Sequence, residues 1–181
     1  MVVTGQAHRD AVCDQLSGVA EENFILEPEP KDSAAAIGLA AAVLFEQDPE
    51  AIMGSFAADQ VIGPDDVFRT AVAEAIATAV TNKIVTIGIK PTYPSTGFGY
   101  IQKGEKLEIE AAPSAFKVDK FVEKPQADVA QRYVDSGQHF WNAGMFVAPV
   151  RLLLQHLQSN EPELFEGVTA IARARVAGDV T

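Results

Sequence analysis

The chain has 181 residues, 48% hydrophobic and 22% charged, the make-up of a soluble globular domain long enough for a substantial core. Asp and Glu outnumber Lys and Arg by 25 to 14 for a formal charge of −11, which argues against a nucleic-acid surface or an anionic-membrane binder. Cys13 is the only cysteine, so no internal disulfide forms, and with neither a basic-then-apolar leader nor a long apolar run the expected location is the cytoplasm.

Val2-Val3-Thr4-Gly5 has the character of a strand end, and a helix is expected over residues 7–16. Asn23-Phe24-Ile25-Leu26 is a buried strand stopped by Glu27-Pro28-Glu29-Pro30. Asp32-Ser33 caps an alanine-rich helix over residues 34–45 with Ile37, Ala41, Leu44 and Phe45 on one face. Residues 51–57 form another buried strand, and Gly63-Pro64-Asp65-Asp66 opens a helix carrying Phe68, Val72, Ile76 and Ala79 as core. Residues 83–89 are again strand, Val85 and Ile87 being β-formers. Strand and helix alternate over short connections, the pattern of parallel strands in a doubly wound α/β layer with its ligand crevice at the strand carboxyl ends.

The rhythm changes after Ile89. Residues 91–97 are a turn-rich loop, and Gly99-Tyr100-Ile101-Gln102 with Leu107-Glu108-Ile109-Glu110 suggests an antiparallel hairpin that makes the sheet mixed. Phe116-Lys117-Val118-Asp119 alternates apolar and polar residues and continues through Phe121-Val122 as a half-buried strand, ended by Pro125. Glu123 and Lys124 then lie at the ligand rim, and both reach one ligand only if the strand is already breaking into a loop there. A helix over residues 127–135 closed by Gly137, a strand over 140–147 and helices over 149–157 and 162–174 complete a single domain without repeat or linker.

Several candidates for chemistry sit at or near strand ends. Asp59 either caps a turn or ligates magnesium, an ion that takes one or two carboxylates with phosphate oxygens and water. The segment holding Glu27, Asp32 and Ser33 is either an ordinary capped helix or a helix end that receives polar ligand atoms. Gly97-Phe98-Gly99-Tyr100 brings backbone close to a ligand or makes a tight turn. Asn142, in an apolar strand, is satisfied by backbone or by a pair of sugar hydroxyls. His8, His139 and His156 fit no common zinc spacing and are structural or exposed.

Five segments, in this order, resemble the bacterial mannose-1-phosphate guanylyltransferases, or GDP-mannose pyrophosphorylases: Ile25-Leu26-Glu27-Pro28 through Ile37, Ala57-Ala58-Asp59-Gln60-Val61-Ile62, Gly88-Ile89-Lys90-Pro91-Thr92 through Ile101, Phe121-Val122-Glu123-Lys124-Pro125, and Trp141-Asn142-Ala143-Gly144-Met145-Phe146. The resemblance implies a Rossmann-like nucleotidyltransferase fold, a mixed, mostly parallel sheet flanked by helices. It implies that GTP and mannose 1-phosphate give GDP-mannose and pyrophosphate with Mg2+. Asp59 would hold the metal, Lys124 would pair with the sugar phosphate, and Glu123 and Asn142 would bind sugar hydroxyls. Gly99 and Tyr100 would border the sugar, and residues 27–33, with Glu27, Asp32 and Ser33, would lie against guanine and ribose.

Where many members have proline, histidine and arginine, this chain has Ala57, Gln60 and Lys31. The resemblance also implies a central fragment without the first strand, its glycine-rich triphosphate loop and a second metal-binding aspartate, so no transferase activity is expected of this piece alone. An open sheet edge left there would invite homo-oligomer formation. Two other functions fit the same segments, a glucose-1-phosphate nucleotidyltransferase and a non-catalytic sugar-nucleotide-binding module.

Overall fold

The computed structural model describes residues 1–29 and 33–178. In chain order the strands are β1 (Val2–Gly5), β2 (Phe24–Glu27), β3 (Ile52–Ser55), β4 (Val85–Ile89), β5 (Gly99–Lys106), β6 (Phe116–Val122) and β7 (His139–Pro149). The helices are α1 (Arg9–Gln15), α2 (Ser33–Gln47), α3 (Asp65–Ala79), α4 (Ala127–Ser136), α5 (Val150–Asn160) and α6 (Pro162–Ala177). The chain divides into two compact units, one from residues 1–51 with the stretch from 150 onward, the other from residues 52–149.

In the first unit β1 and β2 pair in parallel, Val2 opposite Phe24 and Gly5 opposite Glu27. Helix α2 buries Gly38, Ala41, Ala42 and Val43, more than one face, because its small side chains let other helices approach closely. Helices α5 and α6 supply Leu154, Val168 and Ala172 to the same core. The Arg175 guanidinium ties α6 to the start of β2 by donating to the carbonyls of Glu22 and Phe24, each at 2.8 Å.

The second unit is built on β7. Trp141 and Asn142 pair with both β4 and β5, and Phe146 and Val147 pair with both β4 and β3. A strand has two edges, so β4 lies along one of them and β5 and β3 share the other. Every ladder here is antiparallel. The expected parallel relation of β3 and β4 therefore survives as direction, since both oppose β7, while the ladder itself is antiparallel because β7 lies between them. The α/β class stands, but the mostly parallel sheet expected does not: among the described strands only β1 and β2 pair in parallel, because β7 runs opposite to β3, β4 and β5 and takes their ladders.

Helix α3 buries Ala75, Thr78 and Ala79, and Ala75 and Ala79 pack with Val147, Ile52, Val85 and Ile87 of this sheet. Ile76, expected in the core, is 43% exposed; the small side chains one helical step away face the sheet instead. Residues 107–110, expected as a strand, are irregular, and β6 pairs with β5 in their place. Strand β6 is more exposed than its alternation implies, with Phe121 at 58%, because it ends the sheet order. Helix α4 closes at Gly137, whose φ of +61° is the left-handed cap the glycine permits. His139 stacks on Tyr133 at 3.8 Å with its Nδ1 3.1 Å from Ser136 Oγ, and burial pushes its pKa down. Among the described residues no helix is long and apolar enough to cross a membrane.

Candidate functional site

The strand β6 gives out at Val122, and two residues later Lys124 has a φ of +42°. A non-glycine residue in that region costs on the order of 1 to 3 kcal/mol and is held there by its surroundings. The turn removes the strict up-and-down alternation of a strand, so neighbouring side chains point the same way. Lys124 Nζ accordingly sits 3.6 Å from Glu123 Oε1, both side chains being largely solvent-exposed.

Glu123 leans over β5. A Cβ added at Gly99 would stand 2.7 Å from Glu123 Oε2 and 3.5 Å from the Cβ of Asn142, so the missing side chain leaves room for both. Gly99 and Asn142 are direct partners across the β5–β7 ladder. Glycine backbone is thus flanked by the Glu123 carboxylate and the base of the Asn142 side chain, with an ammonium beside the carboxylate. Four residues singled out in the sequence meet on one face of the second unit.

The amide of Asn142 has an assignable orientation. Thr86 and Gly88 on β4 oppose Phe146 and Asn142 on β7, so one residue between the pairs on β4 faces three on β7, a bulge. Gly144, at φ +71°, makes the bend, and its N–H donates to Asn142 Oδ1 at 3.1 Å. The Thr86 hydroxyl donates to the Met145 carbonyl at 3.3 Å and lies 3.5 Å from Asn142 Oδ1. With the oxygen engaged, Asn142 Nδ2 has no partner among the described residues, and its two hydrogens are free to donate.

Asp59 is exposed in the loop after β3. Its neighbour Gln60 donates from Nε2 to the Ala143 carbonyl at 2.8 Å, which ties that loop to the bulge beside Asn142. Tyr100 does not share this face. It is fully buried, packs against Tyr133 at 5.4 Å between ring centroids, and donates its hydroxyl to the Ser95 carbonyl at 2.9 Å. Its ring therefore cannot border a ligand next to Gly99. Trp141, one residue before Asn142, takes Tyr93 and Phe98 as edge-on partners at 4.9 and 5.1 Å, and its buried Nε1 has no partner among the described residues.

Glu27 ends β2 and Ser33 begins α2, both in the first unit, while Asp32 lies outside the described residues. Sequence reasoning passed over Gln60, Thr86 and Gly144 as contributors. A glycine inside a strand-like run is a recognisable bulge signal, and Gly144 was legible on that ground. Nothing local marks Gln60, whose acceptor lies 83 residues away.

A family model described as nucleotidyl transferase matches residues 1–179. Among curated proteins, the mannose-1-phosphate guanylyltransferase of Escherichia coli K12 is 41% identical over 92% of this chain and 36% of its own length. Mannose-1-phosphate guanylyltransferase ManC of Salmonella typhimurium is 39% identical over 91% of this chain and 35% of its own. The chain thus spans little more than a third of the curated relatives it matches. The crystal structure of mannose-1-phosphate geranyltransferase from Thermus thermophilus superposes with a TM-score of 0.82 at 23% identity, covering 94% of this chain and 48% of that one, a likeness of fold.

Proposed function

This chain belongs to the nucleotidyl transferase family, and from that premise we propose that it carries the sugar-phosphate side of a mannose-1-phosphate guanylyltransferase, which moves GMP from GTP to mannose 1-phosphate. The carrying observation is the strip of bare backbone at Gly99 with the Glu123 carboxylate, the Asn142 amide and the Lys124 ammonium around it. A hexose edge offers hydroxyls that both donate and accept, matching a carboxylate on one side and an amide donor on the other. Lys124 supplies the charge for the phosphate. Glu27, Asp32 and Ser33 are assigned to guanine and ribose, and Tyr100 contributes through its backbone.

In the reaction a phosphate oxygen of mannose 1-phosphate attacks the α-phosphorus of GTP in line. The bond from that phosphorus to the bridging oxygen breaks, and pyrophosphate leaves with the electron pair. The chain's own part is positioning and neutralisation of charge. Glu123 and Asn142 fix the sugar's orientation, and Lys124 holds the attacking phosphate against an otherwise acidic protein.

Among the described residues no three His, Cys, Asp or Glu side chains converge for a metal, and Asp59 is a single exposed carboxylate. That donor set suits a hard ion that keeps waters and takes its other oxygens from phosphate, as magnesium does. Asp59 would hold it, and when bound it would draw charge from the α-phosphate oxygens. Both units fall within the family match, and we read them as parts of one catalytic domain acting in the cytoplasm.

Calorimetric titration of the chain with mannose 1-phosphate, glucose 1-phosphate, GTP, UTP and ATP in magnesium tests the reading. Mannose 1-phosphate is expected to bind in preference to glucose 1-phosphate, and GTP in preference to UTP and ATP. Asp59→Asn should weaken magnesium-dependent binding by about tenfold, the effect of one charge-assisted contact. Equal binding of both sugar phosphates would favour the glucose-1-phosphate alternative. Absence of sugar-phosphate binding would overturn the assignment.

A further inference from the structure

We propose that Gln60 is a positioning residue that docks the Asp59 loop onto the β7 bulge and so holds Asn142 and Asp59 in fixed register. The proposal deepens the reading of this site as a sugar-phosphate site and rests on it. From position 56 to 67 every residue is exposed except Gln60, which is half-buried. Among the described residues its amide makes the only hydrogen bond formed by residues 57–63. Between the Phe56–Phe68 ring contact at the ends of the stretch, this hydrogen bond is what ties the solvent-facing residues to the sheet, and Asp59 is one peptide unit from it.

The acceptor explains why an amide is needed. Where β7 bulges, the ladder to β4 is interrupted between Phe146 and Asn142, so carbonyls of the bulge lack ladder partners. The Met145 carbonyl takes the Thr86 hydroxyl, and the Ala143 carbonyl takes Gln60 Nε2. A carbonyl can only accept, so the nitrogen end of the Gln60 amide must face it. On either side of Ala143 stand the two residues of the Asn142 clamp, Asn142 itself and Gly144, whose N–H fixes Asn142 Oδ1. Releasing the Ala143 carbonyl frees the middle of that clamp. It lets the Asn142 side chain leave the orientation that the Gly144 N–H fixes, and it frees the Asp59 loop in the same step.

The test compares the wild-type chain with Gln60→Met, which keeps the length and loses the donor, and Gln60→His, whose ring N–H restores a donor of similar reach. Without ligand, 15N–1H spectra at mildly alkaline pH should show the Asn142 side-chain amide and the Gly144 amide displaced in Gln60→Met and returned toward wild type in Gln60→His. Resonances of α3 and α4 should stay in place in both. With mannose 1-phosphate and magnesium, Gln60→Met should bind about five- to tenfold more weakly, the scale of one lost hydrogen bond acting through a neighbour, and Gln60→His should recover most of it.

Unmoved Asn142 and Gly144 signals in Gln60→Met, or unchanged affinity, would overturn the proposal. Displacement spread over the whole second unit would also overturn it, showing a role in folding alone. A wild-type chain that bound no mannose 1-phosphate would strike the sugar-phosphate reading instead, while the ligand-free spectra still decide what Gln60 does.

Discussion

A Lys124→Gly chain is expected to fold with its thermal stability little changed and to lose mannose 1-phosphate affinity by roughly ten- to a hundredfold, the scale of a charge-assisted contact with a phosphate. Lysine at φ +42° holds a conformation that glycine adopts freely, so the substitution relieves on the order of 1 to 2 kcal/mol of backbone strain. Glycine gives back a comparable amount in the entropy of the unfolded chain. The ion pair it removes, at 3.6 Å between two exposed side chains, contributes little to stability. The terms nearly cancel, and the melting temperature should stay within about 4 °C. Lys124→Gln, which keeps the strain and loses the charge, should show the same loss of affinity. If either variant binds the sugar phosphate as wild type does, the ammonium is not its partner.

Replacing Asn142 by Asp should weaken the same ligand by up to about a hundredfold, more than Asn142→Ala, which should cost nearer tenfold. Both remove the Nδ2 donor, and a hydroxyl that already gives its hydrogen to Glu123 has none left for the aspartate's added acceptor. The aspartate also adds a negative charge across Gly99 from the Glu123 carboxylate. Asp still offers an oxygen to the Gly144 N–H, so the bulge should persist and the Gly144 amide resonance should remain near its wild-type position. Equal affinity of the Asp and wild-type chains by calorimetry would show that Asn142 does not donate to the ligand.

Much of this site was legible residue by residue, because its signals are local. A proline three residues past an alternating run ends β6 where Glu123 and Lys124 begin, and the condition that the strand breaks there is met by the backbone at Lys124. Gly99 was visible as a place where a side chain would intrude, though not which groups would fill the space. The misreadings come from tertiary choices that local pattern does not carry. Leu107-Glu108-Ile109-Glu110 alternates like a strand, yet the Leu107 N–H goes to the Ala115 carbonyl and the Ala112 N–H to the Ile109 carbonyl, so these residues turn. Tyr100 and Gly99 are neighbours on one strand, and alternation puts the tyrosine on the face opposite the glycine. Strand and helix alternation carries direction only; that β7 returns from far along the chain to lie between β3 and β4 has no signature near either of them.

Mapping mannose 1-phosphate onto the chain by 15N–1H titration in magnesium tests most directly whether these side chains form one site. The perturbed resonances should be Gly99, Glu123, Lys124, the Asn142 side-chain amide and the Asp59-Gln60 pair, with β6 up to Lys120 and the outer face of α4 unaffected. Perturbation confined to other surfaces, or shared by Lys124 without Gly99 and Asn142, would contradict a single sugar-phosphate site on this sheet.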